Sequence, residues 1–287
     1  MLNTATENLE ESKMLDFLYN TIPGRILLRL LISRNLSKLA GKFLSSSLSK
    51  PIIPRFIKNN NICLDDYICK DIGQYRDFND FFTRQIRSEL RPIDMNNDSL
   101  IAPCDGRLSV YRISDGTVIP VKQSIYKISD LLGGNNALAD KFNGGICLVF
   151  RLCVDNYHRY CWFDSGTKGE QHFIPGKLHT VRPIALRSVP VFSQNCREYT
   201  VIESNNFGTA AQIEIGAMLV GKIENYPCPP QVTRGNEKGK FLYGGSTVIL
   251  LLEKDRAVLP SNLWKATAEE KEICVKMGEC IGVKAHL

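Results

Sequence analysis

The sequence lacks the features that mark several large classes of protein. No two of its 10 cysteines form a Cys-x-x-Cys pair, the spacing typical of zinc sites and redox motifs. Its most apolar stretch, residues 26–32, is interrupted by Arg29 and falls far short of the roughly 18 residues that cross a bilayer. No internal repeat or long low-complexity tract is present. These absences argue against a zinc-binding, transmembrane or repeat protein.

The pattern of a secretory signal is missing as well. The first dozen residues are polar and contain three glutamates, where a signal peptide would need a basic segment and an apolar one. The cysteines are scattered, which is typical of proteins kept in a reducing compartment. We therefore expect a protein on the cytosolic side of the cell.

The residues that are present suffice for a sizeable core. The chain has 287 residues, of which 44% are hydrophobic and 23% are charged, and its formal net charge is +6. This length and composition indicate a globular protein with one large domain or two ordinary ones.

Positive charge is concentrated near the N-terminus. Between residues 13 and 58, nine basic residues stand against the single acid Asp16, and they are interleaved with Leu, Ile and Phe. This pattern is typical of an amphipathic segment on an anionic membrane surface. A solvated helical face packed on the core explains it equally well. Binding of nucleic acid is disfavoured, because the segment is aliphatic where stacking aromatic residues would be expected.

The hydrophobic periodicity predicts an α+β fold, with N-terminal helices followed by a β-rich, sandwich- or barrel-like domain. Prolines and glycines divide a helical region over residues 1–58, with breaks at Pro23-Gly24, Pro51 and Pro54, and a further helix is predicted over Asp77 to Arg87. Residues 59–287 form the second predicted domain. Its predicted strands are Arg107 to Ile113, Ile146 to Cys153, Pro190 to Phe192, Tyr199 to Glu203, Ala210 to Ile215, Met218 to Ile223 and Thr247 to Leu252.

Three other segments receive provisional assignments. Residues Pro227 to Lys240 are predicted as a long connection, and Trp162 to Gln171 as a surface loop that is a candidate lid by position. The segment from Thr267 onward is predicted as a short helix and a last strand.

Three distant residues together supply the parts of an activated serine nucleophile. Ser246 follows two glycines and opens an apolar run, His158 follows a predicted strand, and Asp105 precedes Gly106 at the start of another. A hydroxyl, a base and a carboxylate of this kind activate serine in many enzymes. Each residue also has an ordinary interpretation: a hairpin turn, a structural histidine and an Asx turn.

The three segments, in this order and local context, resemble the phosphatidylserine decarboxylase family. The resemblance covers about residues 75 to 282. Further matching segments are Phe81-Phe82-Thr83-Arg84 with Arg91-Pro92-Ile93, His179 to Ala185 with Pro190-Val191-Phe192 and Asn195-Cys196-Arg197, Phe207-Gly208, Ile215-Gly216-Ala217 with Val220-Gly221-Lys222-Ile223, and Gly278-Glu279-Cys280-Ile281-Gly282.

The resemblance implies a self-processing enzyme. The Ser246 hydroxyl would attack the Gly245 carbonyl, the chain would separate into residues 1–245 and 246–287, and Ser246 would become a covalent pyruvoyl cofactor. His158 would take the serine proton, and Asp105 would orient His158. The pyruvoyl group would then form a Schiff base with phosphatidylserine, releasing carbon dioxide and phosphatidylethanolamine.

The partners implied by the resemblance are phosphatidylserine in the membrane and the chain's own two fragments. It admits a homodimer, implies no nucleic acid and requires no metal or diffusible cofactor. The expected location is peripheral, at the cytoplasmic face of the cell membrane.

Two positions depart from the family pattern. Bacterial members carry a second histidine three residues after the first, where this chain has Cys161, and a leucine where it has Gly244. Two alternative functions stay open at this point. One is a pyruvoyl-dependent decarboxylase of another amino-acid-headed lipid or a free amino acid, and the other is a non-enzymatic membrane-binding module.

Overall fold

The computed structural model describes residues 13, 15–114, 118–121, 124–181, 185, 189–217, 222–244 and 246–285. The α-helices are Ile22–Leu31 (α1), Arg34–Leu44 (α2), Ile52–Asn60 (α3), Phe78–Phe82 (α4), Ile128–Leu131 (α5), Asn136–Lys141 (α6), Val191–Gln194 (α7) and Ser261–Ala268 (α8). Short 3₁₀ helices are Ser47–Ser49, Leu64–Asp66, Ile72–Gln74 and Ser88–Leu90. None of the described helices is long and apolar enough to cross a membrane.

The strands begin near residue 99 and alternate with few helices thereafter. They are Ser99–Ile101 (β1), Gly106–Arg112 (β2), Val118–Val121 (β3), Ser124–Lys127 (β4), Ile146–Leu152 (β5), Arg159–Cys161 (β6), Gly166–Ile174 (β7), Arg197–Ser204 (β8), Gly208–Gly216 (β9), Ile223–Asn225 (β10), Gln231–Val232 (β11), Glu237–Phe241 (β12), Ser246–Leu252 (β13), Ala257–Val258 (β14), Ile273–Val275 (β15) and Cys280–Lys284 (β16). The predicted α+β class, with N-terminal helices before a β-rich region, is confirmed.

An eight-stranded antiparallel sheet forms the centre of the molecule. Its strand order is β11-β7-β8-β9-β13-β5-β2-β15, so β13 is an interior strand with β9 on one side and β5 on the other. Alternate residues of β13 point to opposite faces. Val248 and Leu250 join one buried cluster, and Ile249 and Leu251 join a second. Burial on both faces explains why this strand is a continuous apolar run in the sequence.

Smaller sheets complete the β region. One has the strand order β1-β16-β14, another has β10-β12-β6, and β3 pairs with β4.

The N-terminal helices pack on this core through one face and leave the other exposed. Leu28 of α1 belongs to the same buried cluster as Ile249, and Leu44 of α2 packs with the aromatic residues of α4. Leu39 and Phe43 of α2 are exposed to solvent, and they lie at helical spacing on one side. The basic N-terminal region therefore has one face packed on the core and one exposed face, and its contact with a membrane stays a prediction.

Several helix predictions need correction. The predicted helix Asp77 to Arg87 ends at Phe82, because the following residues pair instead with an earlier segment, with Ile86 bridging Tyr67. The predicted break at Pro23-Gly24 is confirmed, because the helical residues 15–20 end before Thr21 and α1 begins at Ile22, with Pro23 in its first turn, where its missing N–H costs nothing. Pro54 similarly lies in the first turn of α3. The C-terminal helix begins at Ser261, before Thr267.

The strand predictions are confirmed where a run is long and apolar, as in β2, β5, β8, β9 and β13. The predicted strand Pro190 to Phe192 is wrong, because residues from Val191 form the short helix α7. The predicted connection Pro227 to Lys240 contains β11 and most of β12, and the predicted lid is largely β7. Residues 218–221 of another predicted strand lie outside the described residues.

Candidate functional site

Ser246 is the first residue of β13 and lies inside the sheet. It pairs with Leu152 of β5 and Gly216 of β9, and it is fully buried. Its hydroxyl Oγ has no hydrogen-bond partner among the described residues. A buried hydroxyl without a partner is unfavourable, so this one is a candidate for chemistry rather than for structural support.

The chain enters this strand through a backbone conformation that favours glycine. Gly244 has φ +142°, a region that residues with a side chain rarely adopt. Gly245, whose carbonyl carbon is the predicted target of Ser246, lies outside the described residues.

His158 lies between β5 and β6, and only 1% of its surface is exposed. Its Nδ1 is 2.8 Å from the carbonyl oxygen of Asn156. Since a carbonyl oxygen only accepts hydrogen bonds, the neutral ring carries its proton on Nδ1, and the lone pair lies on Nε2. That Nε2 is buried and has no partner among the described residues. The ring therefore presents an unoccupied acceptor nitrogen, the form that a general base requires.

Burial keeps this imidazole neutral. Desolvation is the main cause that lowers the pKa of His158 to about 3, and the positive charge of Arg84 lowers it further, against the opposing effect of the Asn156 carbonyl. At neutral pH the ring is consequently uncharged and able to accept a proton.

Asp105 does not make the predicted hydrogen bond to His158. Its carboxylate receives two hydrogen bonds from Arg91, at 2.7 Å and 2.5 Å, and one from the backbone N–H of Met277 at 3.0 Å. The paired guanidinium bonds to both carboxylate oxygens are charge-assisted and strong, while the nearby Asn156 carbonyl satisfies Nδ1 of His158. In this structure Asp105 therefore ties β2 to the segments of Arg91 and Met277.

The sheet nonetheless brings Ser246 and Asp105 to the same end. β13 begins at Ser246, the antiparallel β5 ends at Leu152, and β2 begins at Gly106, directly after Asp105. β2 and β13 lie two strands apart, which corresponds to about 9–10 Å between backbones. His158 is connected to the segment before Ser246, because its carbonyl oxygen accepts a hydrogen bond from the N–H of Phe241 at 2.9 Å.

Helix α4 lies against both His158 and the segment that leads to Ser246. The ring of Phe82 lies 4.1 Å from the ring of His158, and the side-chain oxygen of Asn79 accepts a hydrogen bond from the backbone N–H of Tyr243 at 3.0 Å. The rings of Phe82 and Tyr243 are 5.1 Å apart at nearly a right angle. A single short helix thus contacts the imidazole and the segment that leads to Ser246.

Sequence reasoning gave no roles to these supporting residues. Phe82 and Arg91 stood in matching motifs, but nothing in the motif letters indicated that Phe82 covers His158 or that Arg91 binds Asp105. Asn79 and Asn156 act through a side-chain oxygen and a backbone carbonyl that no motif marked.

Cys161, at the position of the second family histidine, is a buried neutral thiol. Burial is the main cause that raises its pKa to about 12. Its backbone N–H donates to the carbonyl oxygen of Pro103 at 2.8 Å, which joins the segment before Asp105 to β6. Within the described ranges, no group of three or more His, Cys, Asp or Glu side chains is arranged to hold a metal ion.

Comparison with known proteins points to one family. The family model for phosphatidylserine decarboxylase matches residues 78–283. A phosphatidylserine decarboxylase proenzyme 2 of Clostridium acetobutylicum is 41% identical over 277 residues, which cover 96% of this chain and 94% of that protein. A phosphatidylserine decarboxylase proenzyme of Clostridium perfringens is 40% identical over 283 residues, covering 97% and 95% of the two chains. One from Clostridium botulinum is 38% identical over 282 residues, with the same coverage.

Proposed function

Because the chain belongs to the phosphatidylserine decarboxylase family, we propose that it is a proenzyme that cuts its own Gly245–Ser246 bond and then decarboxylates phosphatidylserine. The observation that carries this proposal is that Ser246 Oγ and His158 Nε2 are both buried and have no hydrogen-bond partner among the described residues. Such atoms are costly in a folded protein unless they serve a purpose.

In the first stage, the serine attacks its own backbone. His158 accepts the hydroxyl proton at Nε2 and Oγ bonds to the Gly245 carbonyl carbon. The C–N bond between the two residues then breaks as His158 returns the proton to the Ser246 nitrogen, which leaves an ester and a free amine. Removal of the Ser246 Cα proton then expels the Gly245 carboxylate together with the serine oxygen. Hydrolysis releases ammonia and leaves the pyruvoyl group at the start of the chain 246–287.

In the second stage, the residues of the site act on the lipid headgroup. A pyruvoyl group formed from Ser246 would supply the electron-accepting carbonyl that decarboxylation of an amino acid headgroup requires. Its place at the start of β13 fits this role, because β5 and β9 hold the strand on both sides. His158 is the residue that we expect to deliver the proton to the headgroup carbon after carbon dioxide has left. Asp105 keeps a supporting role, in which it fixes β2 and Arg91 beside the site.

The lipid substrate requires contact with a membrane. We assign this contact to the exposed face of α1 and α2, where Ile22, Ile26, Leu39 and Phe43 are exposed beside basic residues. Apolar side chains in the headgroup region and lysines near anionic lipids both favour peripheral binding. The expected place is the cytoplasmic face of the cell membrane.

Intact-mass measurement of purified wild type and Ser246→Ala tests the proposal. We expect the wild type to give two chains, divided after Gly245, with the smaller one carrying a pyruvoyl group, and to release carbon dioxide from phosphatidylserine vesicles. Ser246→Ala should remain one chain and be inactive, because alanine has no hydroxyl. Division of the variant at the same bond would refute self-cleavage by Ser246.

A further inference from the structure

Arg84 is a buried guanidinium with few partners. Only 4% of its surface is exposed. It donates one hydrogen bond to the carbonyl oxygen of Phe81 at 3.2 Å and one to the hydroxyl of Tyr67 at 3.0 Å. Its Nε has no partner among the described residues. The guanidinium carbon lies 4.2 Å and 4.5 Å from the ring centres of Tyr67 and Phe81, so aromatic faces partly replace its lost hydration.

The charge balance around the site sets Arg84 apart. Other cations of this region have carboxylate partners, and these ion pairs are Arg91–Asp105, Arg159–Glu237 and Lys238–Glu214. In the described part of the chain, Arg84 has no carboxylate at ion-pair distance. A buried cation without an anion is unfavourable, and a ligand that brought one would correct the imbalance.

Arg84 lies close to His158, the residue that we expect to act on the substrate. It follows helix α4, whose Phe82 contacts the ring of His158. Its charge also lowers the pKa of that imidazole, which places it within electrostatic reach. The segment 241–244 packs on the same helix through Leu242 and Tyr243. Cleavage after Gly245 would free the end of this segment, which gives the closed site a route for opening.

We propose that Arg84 binds the phosphodiester of the phosphatidylserine headgroup, an inference that rests on the proposed function. The headgroup brings two anions, the phosphodiester and the carboxylate. The carboxylate loses its charge as carbon dioxide leaves, so a guanidinium paired with it would stabilise the ground state more than the transition state. The phosphodiester keeps its charge throughout the reaction. The planar guanidinium also fits two phosphate oxygens at once, which a lysine cannot do.

The test compares Arg84→Met with Arg84→Lys and a remote control. Arg112→Met is the control, because Arg112 also stacks on an aromatic ring, that of Trp264 at 4.8 Å, but it is exposed and lies at the far end of β2. Each cleaved enzyme is assayed with short-chain phosphatidylserine for kcat and KM, and with short-chain phosphatidylethanolamine as a competing product for Ki. The product retains the phosphodiester and lacks the carboxylate.

We expect Arg84→Met to raise KM and the product Ki together, by roughly 10- to 100-fold, as for the loss of a hydrogen bond to a charged group. The effect on kcat should be smaller, because the phosphodiester is bound equally in ground and transition states. Arg84→Lys should raise both constants by a smaller factor, and Arg112→Met should leave them unchanged.

Three results would overturn the inference. A rise in KM with an unchanged Ki would assign Arg84 to the carboxylate instead. Unchanged constants in folded, fully cleaved Arg84→Met would remove it from substrate binding. If that variant fails to fold, unchanged KM and Ki in Arg84→Lys would likewise show that Arg84 does not bind the substrate. Cleavage and carbon dioxide release by the wild type are measured first. A wild type that stays uncut, or that releases no carbon dioxide from phosphatidylserine, would refute the proposed function itself.

Discussion

At the scale of single residues, His158 is the group whose removal we expect to stop maturation. His158→Gln keeps a polar side chain but loses the free Nε2 lone pair, so self-cleavage should slow by roughly 10²- to 10⁴-fold, the usual contribution of a general base. The measurement is the fraction of cut chain against time after cell-free synthesis.

Cys161→Ser provides the matched control for His158. Its thiol is buried and neutral, with the pKa raised to about 12 mainly by burial, so we expect cleavage at the wild-type rate. Normal cleavage by His158→Gln would show that another group takes the serine proton. Loss of cleavage in Cys161→Ser would show that the thiol performs part of the work of the absent second histidine.

Single residues also show what sequence reasoning could and could not provide. Ser246 and His158 were identifiable because each stands in a distinctive short motif, and both are buried with a polar atom that has no partner in the described part of the chain. The predicted contact of Asp105 with His158 failed, because Arg91 arrives from a segment 14 residues away and occupies both carboxylate oxygens. Whether His158 donates to the Asp105 carboxylate or to the Asn156 carbonyl oxygen depends on distances in the folded protein, which the spacing of residues in the sequence does not give.

At the scale of elements, we expect the exposed face of α2 to bind membranes. Leu39→Ser combined with Phe43→Ser should lower binding to anionic vesicles by roughly tenfold or more, because two exposed apolar side chains can no longer enter the lipid. Co-sedimentation with vesicles over a salt series measures this. Binding by the wild type should weaken as salt screens Lys38 and Lys42, and should then level off at an apolar remainder.

Phe173→Ser is the control for this measurement, because Phe173 is equally apolar and exposed but lies on β7. Equal losses from both sites would mean that the membrane contact is not specific to α2. Deleting residues 1–58 is a poor alternative, since Leu28 and Ile32 belong to the buried core and the truncation would damage the fold.

Elements were predictable where their own residues show a clear hydrophobic pattern, and not where contacts with distant segments decide the structure. The run Val248 to Leu252 is buried on both faces and reads plainly as a strand. α4 was predicted too long, because Gln85 and Arg87 form backbone hydrogen bonds with Ile68 and Asp66 rather than extending the helix. β12 was missed, since it contains the charged residues Glu237 and Lys238, which form ion pairs with Arg159 and Glu214 elsewhere in the chain.

At the scale of the whole molecule, we expect cleavage to change how the protein refolds. Uncut Ser246→Ala should regain its structure after dilution from denaturant, independently of protein concentration. The cut enzyme must instead recover β13 from a separate chain, between β9 and β5, so its recovery should fall as the protein is diluted. Intrinsic fluorescence after refolding at several concentrations measures this. Equal recovery of both forms at every concentration would mean that the large chain folds without its central strand.

The interior position of β13 has one more consequence. Chain ends usually fray, because nothing holds their last residues. An end created at Ser246 would be the opposite, since β5 and β9 lie along both of its edges and Val248 is buried within the sheet. A strand that is paired on both edges would then carry the newest terminus of the molecule. The sheet itself would hold a reactive group there in a fixed position. A group on a free tail would instead lose conformational entropy before each turnover.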